Sequence, residues 1–162
     1  RIGFIAMPDS SITGNDRLQG YKDTMRECGL LDESNIVAGG RTVELGREAM
    51  GRLYERKPDI TAVFAANDLL GIGALEWLAI RQIPVPARIS VVGFDNLEYA
   101  DLHWIQLTTM AQPRRDMGRK AAELLLLQMA DKSAKPVSEL IEAKLIERRS
   151  CQAAQVSPNQ GG

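Results

Sequence analysis

Two short apolar runs, each cut off by a pair of polar residues, constrain this chain more than any other feature. Phe64-Ala65-Ala66 ends in Asn67-Asp68, and Ile89-Ser90-Val91-Val92-Gly93-Phe94 ends in Asp95-Asn96. Runs this short and this apolar suit strands buried on both faces, as in a parallel sheet covered by helices. In such sheets ligands gather just beyond the carboxyl ends of the strands. Asn67, Asp95 and Asn96 therefore stand where a polar small molecule is held, while Asp68 reads as the N-cap of the helix that follows.

The rest of the chain repeats the alternation. Residues 2–7 read as a strand stopped by Pro8, and a Ser/Thr/Gly-rich loop over 9–14 leads into a helix over 15–28, closed by Gly29. A strand at 36–38 precedes Gly39-Gly40, and Thr42 N-caps a helix over 43–56. A strand at 60–66, a helix at 68–80 and a strand at 89–94 complete a doubly wound α/β pattern with a parallel sheet. Beyond Asp95 come a polar-aromatic connection over 97–106, a strand at 107–111 and a helix from Pro113 to Met129. Mixed alternation over 140–146 and a polar tail over 151–162, read as disordered, close the sequence. A length of 162 residues fits one domain able to bury a proper core.

Several functions are disfavoured. Twenty basic residues balance 21 acidic ones for a net charge of -1, and no basic run exceeds a pair. Nucleic-acid binding needs a concentrated basic face, because counterion release supplies most of the affinity. Cys28 and Cys151 are isolated and His103 is the sole histidine, so neither a disulfide framework nor a metal site is expected, and a reducing, cytoplasmic setting is the default. No stretch reaches membrane-spanning length. A Gly-x-Ser-x-Gly elbow is missing, and Gly71-Ile72-Gly73-Ala74 lacks the dinucleotide-binding order, so no reaction centre or cofactor site is expected. Two helices carry excess apolar surface: 69–80, with Glu76 as its only charge, and the one containing Leu124-Leu125-Leu126-Leu127. A helix apolar all round needs cover on every side, and the tetra-leucine helix calls for a partner beyond its own sheet.

Five segments together resemble the lactose/galactose repressor (LacI/GalR) family: Thr13-Gly14-Asn15-Asp16-Arg17-Leu18-Gln19-Gly20-Tyr21, then 64–75, then 89–96, then Leu107-Thr108-Thr109-Met110-Ala111-Gln112-Pro113, and Leu145-Ile146-Glu147-Arg148-Arg149-Ser150. Their order and spacing extend the resemblance over nearly all of 1–150. It implies the C-terminal lobe of an effector-binding core of periplasmic-binding-protein type, with 107–130 crossing to an N-terminal lobe, and with that lobe, the hinge and the DNA-binding helix-turn-helix lying outside this sequence. It also implies a small sugar-like effector held by Arg17, Thr13, Asn67 and Asp95, and a homodimer formed through Ile72, Leu75 and Leu78. DNA would be bound only by the helix-turn-helix of the full-length protein. A guanidinium with a carboxylate and an amide suits adjacent hydroxyls of a polyol.

Two positions depart from the family's pattern. Arg41 replaces an aromatic platform after the second strand, and Gln106 a common proline. Arg41 facing Arg17 across a cleft would favour an acidic effector, a sugar acid or sugar phosphate, since paired guanidiniums repel without an anion between them; the alternative leaves Arg41 in solvent beside Glu44. The rival reading from another class is a periplasmic sugar-binding protein of a transport system, which shares the fold.

Overall fold

The computed structural model describes residues 1–131, 133 and 135–153. One six-stranded sheet organises it: β1 (Ile2–Ala6), β2 (Ile36–Ala38), β3 (Ala62–Ala65), β4 (Ser90–Phe94), β5 (Thr108–Ala111) and β6 (Lys144–Ile146), in the order β2-β1-β3-β4-β5-β6. The first five are parallel and β6 joins antiparallel to β5. The doubly wound parallel expectation thus holds with one amendment, an antiparallel edge strand, which covers the open side of β5.

Residues alternate between the two faces of the sheet. Phe4, Phe64, Val92, Phe94 and Met110 share one face, where α1 (Ile12–Glu27) lies and Tyr21 packs 5.0 Å from Phe4. Ile5, Val63, Ala65 and Val91 face the other way and are fully or almost fully buried beneath α2 (Val43–Arg56) and α3 (Asp68–Ile80). Those helices approach backbone to backbone: a Cβ on Gly46 would lie 2.6 Å from the Leu70 carbonyl oxygen, and one on Gly73 would lie 2.6 Å from Arg47 N and closer still to Val43 O. The excess grease of α3 is explained on one side, since Leu70, Ala74 and Leu78 are fully buried. Ile72 and Leu75 are only half-buried, and Ile80 is exposed.

Three local expectations need correction. The first helix begins at Ile12, with Ser11 capping it through Gly14 N at 3.1 Å, so Thr13 sits on a helical turn and not in a loop. At the end of β3 the cap is Asn67, whose side chain accepts from Leu70 N at 2.9 Å; Asp68 is the first helical residue and fully buried. Leu78, expected at a dimer surface, lies in the core with no surface left for a partner. Asn67 and Asp68 both suit a cap by type; Asn67 takes it while the Asp68 carboxylate is engaged by Thr109 Oγ1 and Leu97 N.

The last helix, α4 (Arg114–Ala130), has no buried residue, and Leu125, Leu126, Leu127 and Met129 are exposed. It does not fold back on its own sheet. Gln106 has φ 47, a conformation closed to proline, so the chain enters β5 by a path that proline could not follow. At the other end, Cys151 and Gln152 still bond to Val91 O and Ser90 Oγ, while 154–162 of the expected tail lie outside the described residues. Among the described residues no helix is long and apolar enough to cross a membrane.

Candidate functional site

The strand order reverses between β1 and β3, and the polar residues singled out from the sequence lie beside that switch point. Arg17, on the second turn of α1, reaches across the strand ends. Its Nη1 donates to Ala66 O at 2.7 Å, its Nη2 to Asp95 Oδ1 at 3.0 Å, and its guanidinium stacks 3.9 Å above the Phe94 ring. Gln112 Nε2 donates to the same Oδ1 at 3.0 Å. Both donors land on one oxygen, and among the described residues Asp95 Oδ2 has no hydrogen-bond donor. That leaves a carboxylate oxygen, held in place by its twin, able to accept from a hydroxyl. Arg17 and Asp95 keep 13% and 28% of their side-chain surface exposed, so the pair is partly desolvated yet reachable.

The backbone beneath this pair is strained. Asp95 has φ 114 and Asn96 φ 50, conformations that L-residues other than glycine rarely take and that cost about 1–3 kcal/mol each. Neighbours on every side impose them. Asp95 N donates to Met110 O at 2.9 Å, Asn96 N to Thr109 Oγ1 at 3.3 Å, and Leu97 N to Asp68 Oδ2 at 2.7 Å. Arg114 and Arg148 donate to the Asn96 carbonyl and side-chain oxygens. Thr109 Oγ1 in turn donates to Asp68 Oδ1 at 2.5 Å. Burial pushes the Asp68 carboxyl up, opposed by the Thr109 hydroxyl and the Leu97 amide that donate to it. Gly93 leaves the space this carboxylate occupies, because a Cβ there would collide with Asp68 Oδ1.

The other expected residues are less engaged. Asn67 is buried and its Oδ1 is spent on the helix cap. Thr13 is exposed on α1. Arg41 is exposed before α2 and makes no ion pair among the described residues; Glu44 pairs with Arg47 instead. The charge on Arg17 is already matched by Asp95, so the argument that two converging arginines require an anion loses one of them. Gln112 and Arg148 stand in the sequence only as members of longer motifs, and no local signal marks them out. No group of three or more His, Cys, Asp or Glu could hold a metal among the described residues.

A partly buried Arg17–Asp95 pair thus lies at the strand ends beside the switch point of a parallel sheet. Comparison with known proteins narrows the class. The family described as "Periplasmic binding protein-like domain" matches residues 1–151, and the chain belongs to it, as a LacI/GalR-type member. It is 39% identical over 154 residues to the HTH-type transcriptional repressor CytR of Escherichia coli (strain K12), covering 94% of this chain and 45% of that protein. The HTH-type transcriptional regulator CelR of Thermobifida fusca is 37% identical over 151 residues, covering 93% and 44%. Among solved structures, a transcriptional regulator CelR-cellobiose complex superposes with a TM-score of 0.85 at 37% identity, over 93% of this chain and 46% of that one. A sugar-binding regulator of the LacI family from Escherichia coli, complexed with phosphate, gives 0.84 at 32% identity, over 94% and 55%. The chain thus spans about half the length of the relatives it matches.

Proposed function

We propose that this chain is the effector-binding lobe of a cytoplasmic bacterial transcriptional regulator, non-catalytic, which takes a small sugar-like polyol at the carboxyl ends of β1, β3 and β4. The observation that carries this reading is the Arg17–Asp95 pair with Asp95 Oδ2 open beside it. A polyol hydroxyl can donate to Oδ2 while a neighbouring hydroxyl accepts from Arg17, a bidentate match to a diol. Thr13, on the same helix as Arg17, and the Asn67 amide nitrogen would extend the polar rim. The ligand would act by binding one arrangement of two lobes more tightly than another, and so bias a helix-turn-helix elsewhere in the full-length protein. A homodimer would form through the half-buried Ile72 and Leu75 of α3. The regulators among its relatives support this reading over a transport protein.

Effector charge is the finer question. Arg41 is exposed and has no ion-pair partner among the described residues, so its guanidinium is free to pair with the carboxylate or phosphate of a sugar acid or sugar phosphate. Titration calorimetry on the full-length protein with cellobiose and cellobionate tests both points. Asp95→Asn and Arg17→Gln should each weaken the bound ligand by about tenfold or more, the loss expected for a charge-assisted hydrogen bond. Equal affinity in both variants and wild type would remove the site. Only an acidic ligand should respond to Arg41→Ala.

A further inference from the structure

The strained Asp95–Asn96 turn and the exposed segment around Trp104 are two parts of one loop, and a single side chain grips that loop at three places. Arg148, just past β6, donates from Nη2 to Asn96 Oδ1 at 2.9 Å, from Nε to Asp101 Oδ1 at 3.0 Å and from Nη1 to Leu107 O at 2.9 Å. Its own backbone is pinned, with Arg148 N on Thr108 Oγ1 at 3.0 Å. The side chain is 10% exposed although Asp101 is 71% exposed, so the guanidinium lies under the loop. A guanidinium is planar and its donors keep fixed directions. Moving one acceptor therefore tilts the group against the other two.

The far part of the loop presents Trp104, 79% exposed, and Tyr99, 61% exposed. With Leu75, Ile83, Val85 and Ile105, Trp104 lines a groove of about 300 Å³ beside α3. Nothing in the sequence joins this surface to the strand ends; the guanidinium does. We propose that Arg148 is a positioning residue that couples the Asp95–Asn96 end of β4 to the Trp104 surface, so that a displacement of Asn96 is felt at 102–106. Its bearing on regulation rests on the reading of Asp95 as a ligand contact. The coupling itself is measured without ligand or partner, so either can fail alone.

Residue-resolved amide hydrogen exchange on the whole chain tests it. The reporters are Ile105 N and Gln106 N, both bonded to Leu102 O, with the β1–β3 ladder as reference. Asn96→Gly removes the Oδ1 acceptor while glycine keeps the positive φ at little cost. We expect it to speed exchange at both reporters by about tenfold, the scale of one lost charge-assisted bond, with the reference ladder unchanged. Arg148→Lys should do the same, and the double variant should exchange no faster at the reporters than Arg148→Lys alone. A change confined to 95–97 in Asn96→Gly would overturn the proposal, as would two effects that multiply in the double variant. If Arg148→Lys loses the fold, Asn96→Gly decides alone, since it leaves Arg148 in place.

Discussion

Gly73→Ala asks whether α2 and α3 truly touch through their backbones. On an exposed helix the substitution gains roughly 1 kcal/mol, because alanine is the better helix former. Here the new methyl would lie 2.6 Å from Arg47 N and nearer still to Val43 O, both main-chain atoms of α2. Ordinary contact starts near 3.4 Å, and neither obstacle can swing aside as a flexible side chain would. The helices must separate, loosening the layer over Leu70, Ala74 and Leu78. Overpacking against backbone belongs at the upper end of its usual range, about 3 kcal/mol. The net loss is then about 2 kcal/mol, which for a chain of this size lowers the melting temperature by roughly 4–8 °C. Gly20→Ala is the matched control: it lies in α1 with nothing within 4 Å of a new Cβ, so it should stabilise by about 0.5–1 kcal/mol. Thermal unfolding followed by far-ultraviolet circular dichroism reads both. If Gly73→Ala melts at or above wild type while Gly20→Ala rises as expected, the close helix contact is wrong.

Two further outcomes concern carboxylates. Thr109→Val removes a hydroxyl that donates to buried Asp68 and should cost about 1.5–3 kcal/mol near neutral pH, where the acceptor is charged. Asp68 has a folded-state pKa above its unfolded value, so its contribution to stability falls as pH rises through that interval; losing the hydroxyl raises the folded value further. Urea midpoints should therefore show a larger loss at about pH 7 than at about pH 4, and an equal loss at both would contradict this. Asp32 runs the other way: hydrogen bonds from Lys57 and Ser34 lower its pKa to about 2. Its stabilising contribution is complete above the ordinary carboxylate range and is lost as pH falls toward about 2. Asp32→Asn should flatten that acid limb, and an unchanged acid titration of stability would refute the assignment.

The sequence by itself determines the elements. Short apolar runs, Thr42 before an amphipathic stretch and the Gly/Pro punctuation are local signals, because backbone propensity and side-chain periodicity act within a few residues. They place β1 to β5 and α1 to α4 close to where the structure has them. They also bring Asn67 and Asp95 to strand ends, since a parallel sheet collects the ends of its strands on one side. Only tertiary structure decides what those side chains do there. Asn67 and Asp68 are equally suited to a cap by composition; Asp68 is drawn inward by Thr109 and by the Leu97 amide, far along the chain. Arg17 meets Asp95 across 78 positions and Arg148 meets Asn96 across 52. Such partners are set by which strands lie side by side, and the left-handed turn that aims Asp95 exists only because neighbours from α3, α4, β5 and the segment after β6 hold it. A polar residue's type is written in the sequence, but its partner depends on a strand order that no local signal encodes.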